Sequence, residues 1–467
     1  MKKTLLSLLL TSAAWAEPSW TVVSPAFPVD APEGQWIELE VKGPAGRTPN
    51  LQTSRATLPV VEARPGVYRA RFQPANGDVT LDGQNLGSCR SHSGLLGVFE
   101  VSKDKAVLRT GPTSDYDRLT PVSRGVRLEA VERQGDYLRL QNPSGWLRLS
   151  EGTLLGPEAS LGNGLLTLIR VSEPDNRIRL TLGSPCAWQV RQDVENRKIW
   201  LDLPGVASAT FHTAYAQNAK TIPDIRLHPL GEKGTSVEIP LRQRLWGYHL
   251  NWAGDTLEFT PSPAPKIDPK HPLRGLRVTV DAGHGGSDSG TVGLDLHVKE
   301  SALNLEVARA LRGELQKAGA VVTMTRDGDH QLTPDTAPAE AELGARAEVG
   351  VRSHAQLFIS VHHNARPEVK DGRVAHGTHI YYYQPASRGL AQAIAAPLAR
   401  AIGEPSYQHF WRSFGVIRQP EMPAVLVECN FLSNPRLEKG MLHDPAYPRK
   451  AARGILEGIQ RFLVRDM

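Results

Sequence analysis

The sequence predicts a multidomain chain, three small all-β domains followed by an α/β domain with a twisted mixed sheet flanked by helices. Three observations carry that expectation. Up to residue 262, apolar residues recur at every second position in short runs separated by Pro and Gly. Residues 263–273 (Pro263-Ala-Pro-Lys-Ile-Asp-Pro-Lys-His-Pro-Leu273) have the proline-rich composition of a semi-extended linker. Beyond it, over residues 274–467, continuous apolar strands alternate with segments of helical period.

The amino terminus comes first. Lys2 and Lys3, the apolar run Leu5–Leu10 and the small-x-small step Ala14-Trp-Ala16 read as a secretory signal peptide over residues 1–16. That run is too short to span a membrane, and the rest of the sequence offers no longer one. The expected location is therefore outside the cytoplasm, in the periplasm or cell envelope, without an integral membrane segment. Residues 17–92 alternate strictly in Trp36-Ile-Glu-Leu-Glu-Val41 and Val67-Tyr-Arg-Ala-Arg-Phe72, as a β-sandwich of immunoglobulin-like kind would. Residues 93–157, with Val107-Leu-Arg-Thr-Gly-Pro112, Gly125-Val-Arg-Leu128 and Gly145-Trp146, resemble a bacterial SH3 domain, which implies a small β-barrel. Residues 158–262 carry four more period-two runs, from Arg177-Ile-Arg-Leu-Thr-Leu182 to Leu257-Glu-Phe259.

Composition narrows the function classes. The chain has 467 residues and a formal charge of +5, which falls to +3 once the signal lysines are removed. That mild excess suits anionic envelope polymers weakly, and no basic cluster interleaved with aromatics points to nucleic acid. The three cysteines, Cys89, Cys186 and Cys429, are far apart, which excludes a disulfide framework and a cysteine metal site.

Chemistry concentrates at strand ends in the last domain. The strand Val278–Asp281 runs into a glycine-rich bend holding His284. Leu357–Val361 delivers His362 and His363, and Ala424–Val427 delivers Glu428. Glu300 opens a helix in which Leu303, Val307, Leu311 and Leu315 fall four apart, with Ser301 as the expected N-cap and Gly319 past its end. Further strands are expected at Val321–Thr325 and Ile380–Tyr383, and further helices at Gly389–Ile402 and Ala446–Phe462. In open α/β sheets functional groups gather beyond the carboxyl ends of strands. Two histidines and two glutamates there suit a catalytic zinc, which takes three N/O ligands and keeps one position open. Adjacent strand residues face opposite ways, so only one of His362 and His363 points at the metal. Cys429 beside Glu428 turns away from it and reads as a buried small hydrophobe.

Five ordered segments resemble the zinc-dependent N-acetylmuramoyl-L-alanine amidases, the amidase 3 family: Asp281–Gly290, Lys299–Leu305, Thr325–Asp327, Ser360–Ala365 and Pro423–Asn434. The resemblance implies zinc ligands at His284, Glu300 and His362, and Glu428 as the catalytic general base. The bond cut is then the amide joining N-acetylmuramic acid to L-alanine in peptidoglycan. Two alternatives are a zinc peptidase cutting elsewhere in the stem peptide and a catalytically silent wall-binding protein. His363 and Asn430 depart from the family pattern; His363 is expected to be solvated. Arg326, Arg346 and Arg418 are candidate partners of substrate carboxylates, and Asn364 a candidate substrate donor. Residues 158–262 resemble the AMIN module found ahead of such enzymes. No long helical insertion follows Tyr383, so the zinc-blocking plug of some family members is expected to be absent. Peptidoglycan, an envelope regulator and a monomeric state complete the expectations.

Overall fold

The computed structural model describes residues 20–464, apart from residues 120, 142, 163, 173–174, 211, 217–221, 232–233 and 367–374. The expected signal peptide, residues 1–16, lies outside the described residues. The chain divides into two compact units. One runs to Glu100 and includes Gly111–Ser114 and Leu128–Ala159; the other holds Val101–Thr110, Asp115–Arg127 and everything from Ser160 onward.

The first unit is almost entirely sheet. Its alternating strands Ile37–Lys42 and Val67–Phe72 bury Ile37, Leu39, Val41, Tyr68 and Phe72 in one core, as their period of two requires. The strand Val29–Pro32 pairs in parallel with Gln84–His92 and antiparallel with Arg127–Gln134. Residues 17–92 and 93–157 thus contribute strands to one continuous sheet, and the expected boundary at 92/93 coincides with no break in it.

In the second unit, a five-stranded and a four-stranded sheet enclose Ile169, Leu180, Leu201, Val237 and Phe259. The region beyond the linker is a six-stranded mixed sheet with helices. Its strand order is Val321–Met324, Arg277–Ala282, Leu357–Asn364, Ala424–Phe431, Thr378–Tyr382, Ser406–Trp411. All neighbours run parallel except Ala424–Phe431 with Thr378–Tyr382. Interior parallel strands are covered on both faces, hence the unbroken apolar run Leu357–Val361.

Helix α1 (Glu300–Lys317) buries Leu303, Val307, Leu311 and Leu315 against the sheet and ends before Gly319, whose φ of +94° only glycine adopts readily. Ser301 is not its cap: it lies inside the first turn, buried, and Lys299 holds the cap position without a side-chain bond. Helix α2 (Ala339–Arg352), absent from the sequence reading, covers the opposite face. Helix α3 (Arg388–Ile402) fills the stretch after Tyr382 and buries Leu390, Ile394 and Leu398 in the core. It is a core helix. A short helix α4 (Pro435–Lys439) precedes α5 (Tyr447–Val464), and methyl groups at Gly454 or Gly458 of α5 would strike the α3 backbone.

Candidate active site

The loop after Arg277–Ala282, the first turn of α1 and two neighbouring strands bring four groups together. His284 has a φ of +61° between two glycines, a left-handed bend that aims its ring back over the strand ends. Gly283 allows this approach, since a methyl group there would overlap the His362 imidazole. Gly290 is equally tight: its Cβ would lie 2.6 Å from Glu300 Oε2. Strand register sets His362 beside Glu428 and Glu428 beside His379, so these three occupy one row across the sheet.

His284 Nδ1 donates to Asp288 Oδ2 at 2.7 Å, and its other ring nitrogen, Nε2, lies 3.2 Å from Glu300 Oε1. His362 Nδ1 stands 3.0 Å from the same oxygen. One ligand atom each from His284, Glu300 and His362 therefore falls within 4.8 Å of the others. Glu300 is further held by Asn304 Nδ2 on Oε1 at 3.2 Å and the Thr291 N–H on Oε2 at 3.0 Å. Burial opposes its charge, but the two histidines overcome this and hold its carboxyl far below the usual range. For His284, burial alone would lower the pKa; Glu300 and Asp288 instead raise it to about 9. Glu428 goes the other way: burial and then repulsion by Glu300 push its carboxyl well up, with His284 pulling against them. Its Oε2 is sealed from solvent and has no hydrogen-bond partner among the described residues. The two carboxylates thus sit in opposed electrostatic environments.

Arg326 and Arg346 are structural. Arg326 is 2% exposed. Its guanidinium donates to the carbonyls of Ala282 (2.8 Å), Gly283 (3.0 Å), Ser301 (2.7 Å) and Gly328 (2.8 Å), so it locks the His284 loop to α1 and has no face for substrate. Arg346 donates to Asp281 Oδ1 (3.0 Å), Glu342 Oε1 (2.8 Å) and the carbonyls of Ala282 and His284 (both 2.8 Å). Arg418 is bound through its own carbonyl to Gln384 Nε2 at 2.7 Å, and none of its hydrogen bonds reaches the four site residues. Asn364 does share the site face, two residues beyond His362, with Nδ2 3.5 Å from His379 Nδ1.

His363 corrects another expectation. It is 1% exposed, not solvated, because strand alternation turns it into the core. There Nδ1 meets Asn304 Oδ1 at 2.8 Å and Nε2 meets the Tyr447 hydroxyl at 2.9 Å. Burial drives its pKa down to about 3, so it stays neutral. Cys429 is fully buried, as expected, and all three cysteines are free. The sequence reading missed Glu438. Fully buried on α4, it accepts the N–H groups of Asp295 (2.8 Å), Leu296 (3.0 Å) and Val298 (3.1 Å), fixing the loop that leads into Glu300. Its one sequence signal is an acid in the first turn after the Asn434-Pro435 helix start.

The N-acetylmuramoyl-L-alanine amidase family profile matches residues 278–461. The germination-specific N-acetylmuramoyl-L-alanine amidase of Bacillus subtilis is 35% identical over 200 residues, 41% of this chain and 81% of that protein. The chain belongs to the N-acetylmuramoyl-L-alanine amidase family. A probable cell wall amidase, LytH of Staphylococcus saprophyticus, is 26% identical to this amidase over 241 residues, 50% of this chain and 74% of that one. Among solved structures, the catalytic domain of CwlV, an amidase of Bacillus (Paenibacillus) polymyxa, is 32% identical across 40% of this chain and 98% of its own, with a TM-score of 0.36.

The amidase's own donor set fits a zinc ion. Two imidazole nitrogens and one carboxylate oxygen are the usual ligands of catalytic zinc. The 3.0 and 3.2 Å separations are close to the roughly 3.3 Å edge spanned by ligands about 2.0 Å from one tetrahedral ion. Asp288 behind His284 supplies the carboxylate that commonly orients a ligating histidine. Glu428 Oε2 is an orphan of the kind that a group bound beside it would satisfy.

Proposed function

We propose that this amidase hydrolyses the amide between N-acetylmuramic acid and L-alanine of peptidoglycan with zinc held by His284, Glu300 and His362, and with Glu428 as general base. The observation that carries this reading is the sealed, unpartnered Oε2 of Glu428 in one sheet row with His362, beside the converging ligand atoms. When bound, zinc supplies the Lewis acidity that polarises an amide carbonyl and lowers the pKa of water. Glu300 and the two histidines hold their donor atoms in place before any substrate arrives. Glu428 Oε2 receives a proton from the attacking water and returns it to the leaving L-alanine amine, a step typically worth about 10²–10⁴-fold. Asn364, on the same strand face, donates to the substrate.

Residues 274–467 form the catalytic domain in this reading, and the β-regions 17–92, 93–157 and 158–262 accompany it outside the cytoplasm. Relatives named as cell wall amidases support an envelope location. No helix among the described residues is long and apolar enough to cross a membrane.

The test is mass spectrometry of purified peptidoglycan digested by the full chain, with and without a chelator. Chelator-sensitive release of intact stem peptides with free L-alanine amino termini is the expected result. Fragments cut inside the stem would move the assignment to a peptidase, and pelleting without release would leave a wall-binding protein. Glu428→Gln should keep one zinc per chain and lose about 10²–10⁴ in rate; an unchanged rate would sink the general-base role.

A further inference from the structure

A cavity of about 1020 Å³ lies within the second unit, between the β-region 160–263 and the catalytic domain. Five cations line it: Arg197, Arg242, Arg244, Lys266 and Arg388. Asp193 and Glu195 are its acids, and both oxygens of Asp193 are held by Asn196, at 3.0 and 2.9 Å. Among the described residues, Arg197, Arg242, Lys266 and Arg388 form no ion pair, although each has water on one side and the cavity on the other. The back wall is apolar. Trp246 and Phe462 stand 5.1 Å apart between ring centroids, and the Arg244 guanidinium lies 4.8 Å over Phe462.

The two walls are fastened together. Gln192 Nε2 donates to Gln384 Oε1 at 2.9 Å, its Oε1 accepts the Ala386 N–H at 3.1 Å, and the Tyr248 N–H bonds the Pro420 carbonyl at 2.8 Å. The cavity is also distinct from the His–Glu cluster. His379 pairs with Glu428, whereas Tyr382 pairs with Val425, about 10 Å further along the strands. The chain reaches the cavity residues Pro385, Arg388 and Gly389 only after that.

We propose that this cavity is a second binding site, and that its ligand is a carboxylate-bearing stem peptide of peptidoglycan; this rests on the amidase reading above. Guanidinium groups on opposite walls match carboxylates in bidentate fashion, and a Trp–Phe surface suits short aliphatic side chains. Its volume is at the upper end of ordinary ligand pockets, enough for several residues of extended peptide. A strand held here, at the opposite sheet end from Glu428, gives the enzyme an anchor that does not occupy the cutting site.

The experiment uses the full chain carrying Glu428→Gln, so that the wall stays intact, and measures pelleting with peptidoglycan stripped of phosphate polymers. Arg197→Gln/Arg242→Gln/Arg388→Gln in that background should weaken retention about ten-fold, the sum of three exposed charge contacts. Lysine at the same three positions, which keeps the charge but not the bidentate fork, should recover part of the retention, which separates lost charge from lost fold. In the otherwise unaltered chain, the triple glutamine variant should cleave a small soluble muropeptide within about two-fold of the parent rate, since the sites share no partners. Unchanged pelleting of the triple glutamine variant, or retention only on walls that carry phosphate polymers, would overturn the proposal. Failure of the parent to cleave the soluble muropeptide would sink the amidase reading instead, leaving the pelleting comparison to stand by itself.

Discussion

Replacing Arg346 by methionine strips a buried anion of its partner. Arg346 and Asp281 have side chains only 4% and 1% exposed, and the Arg346 fork also carries the carbonyls of Ala282 and His284. Truncating one partner of such a pair costs about 3–5 kcal/mol, because the other charge stays buried. A domain of roughly 150–250 residues shifts by about 2–4 °C per kcal/mol, so its melting transition should fall by about 6–20 °C. The released His284 carbonyl loosens the loop behind a proposed ligand, and loss of such outer support typically lowers metal affinity about 10–100-fold. Scanning calorimetry reads the first effect and competition with a chromogenic chelator the second. The double variant Asp281→Asn/Arg346→Met, which removes both charges, should recover much of the stability. A single variant that melts within about 2 °C of the parent and binds zinc as tightly would refute the reasoning.

Three further outcomes follow from neighbouring residues. Gly283→Ala should retain its circular dichroism but bind well below one zinc per chain, because the new methyl overlaps the His362 ring; full occupancy by elemental analysis would count against that ring as a ligand. His363→Leu should lose about 1–3 kcal/mol in urea unfolding, with Asn304 Oδ1 and the Tyr447 hydroxyl deprived of their His363 partner, yet keep one zinc per chain; loss of the metal would reverse the assignment of the two histidines. For Asp281, burial favours the neutral form, but Arg346, Ser360 and Thr325 outweigh it and hold the carboxyl below its usual value. A depressed carboxyl stabilises the fold above its unfolded pKa of about 3.9 and ceases to as pH drops through the lower folded value. Urea midpoints of the metal-free chain should therefore decline below about pH 4, with a shallower limb in the double variant.

The strand-end residues were legible because parallel strands buried on both faces announce themselves as unbroken apolar runs, and a polar group at the end of one stands out. Helix α1 was legible through its four-residue spacing. Helix α2 was not: Ala339–Arg352 is rich in Ala, Glu and Gly, and its buried residues are Arg346 and Gly350. A guanidinium that grips four backbone carbonyls looks, in sequence, like one waiting for a ligand, so Arg326 was misjudged. Periodicity reports which face of a strand is buried but not its partner. The pairing of Val29–Pro32 with both Gln84–His92 and Arg127–Gln134, which fuses two expected domains, was therefore beyond its reach. Glu438 was missed for the same reason, since its three partners lie about 140 residues earlier.

The last sheet strand in the chain, Ala424–Phe431, is not an edge strand; it slots between Leu357–Asn364 and Thr378–Tyr382, made earlier. Glu428 thus reaches His362 only when the sheet closes around its final member. Under the proposed mechanism, the site is complete only in the finished sheet. A fragment ending before Ala424 carries both histidines and Glu300 yet lacks Glu428. Under the proposed mechanism such a fragment could hold the metal and still cut nothing.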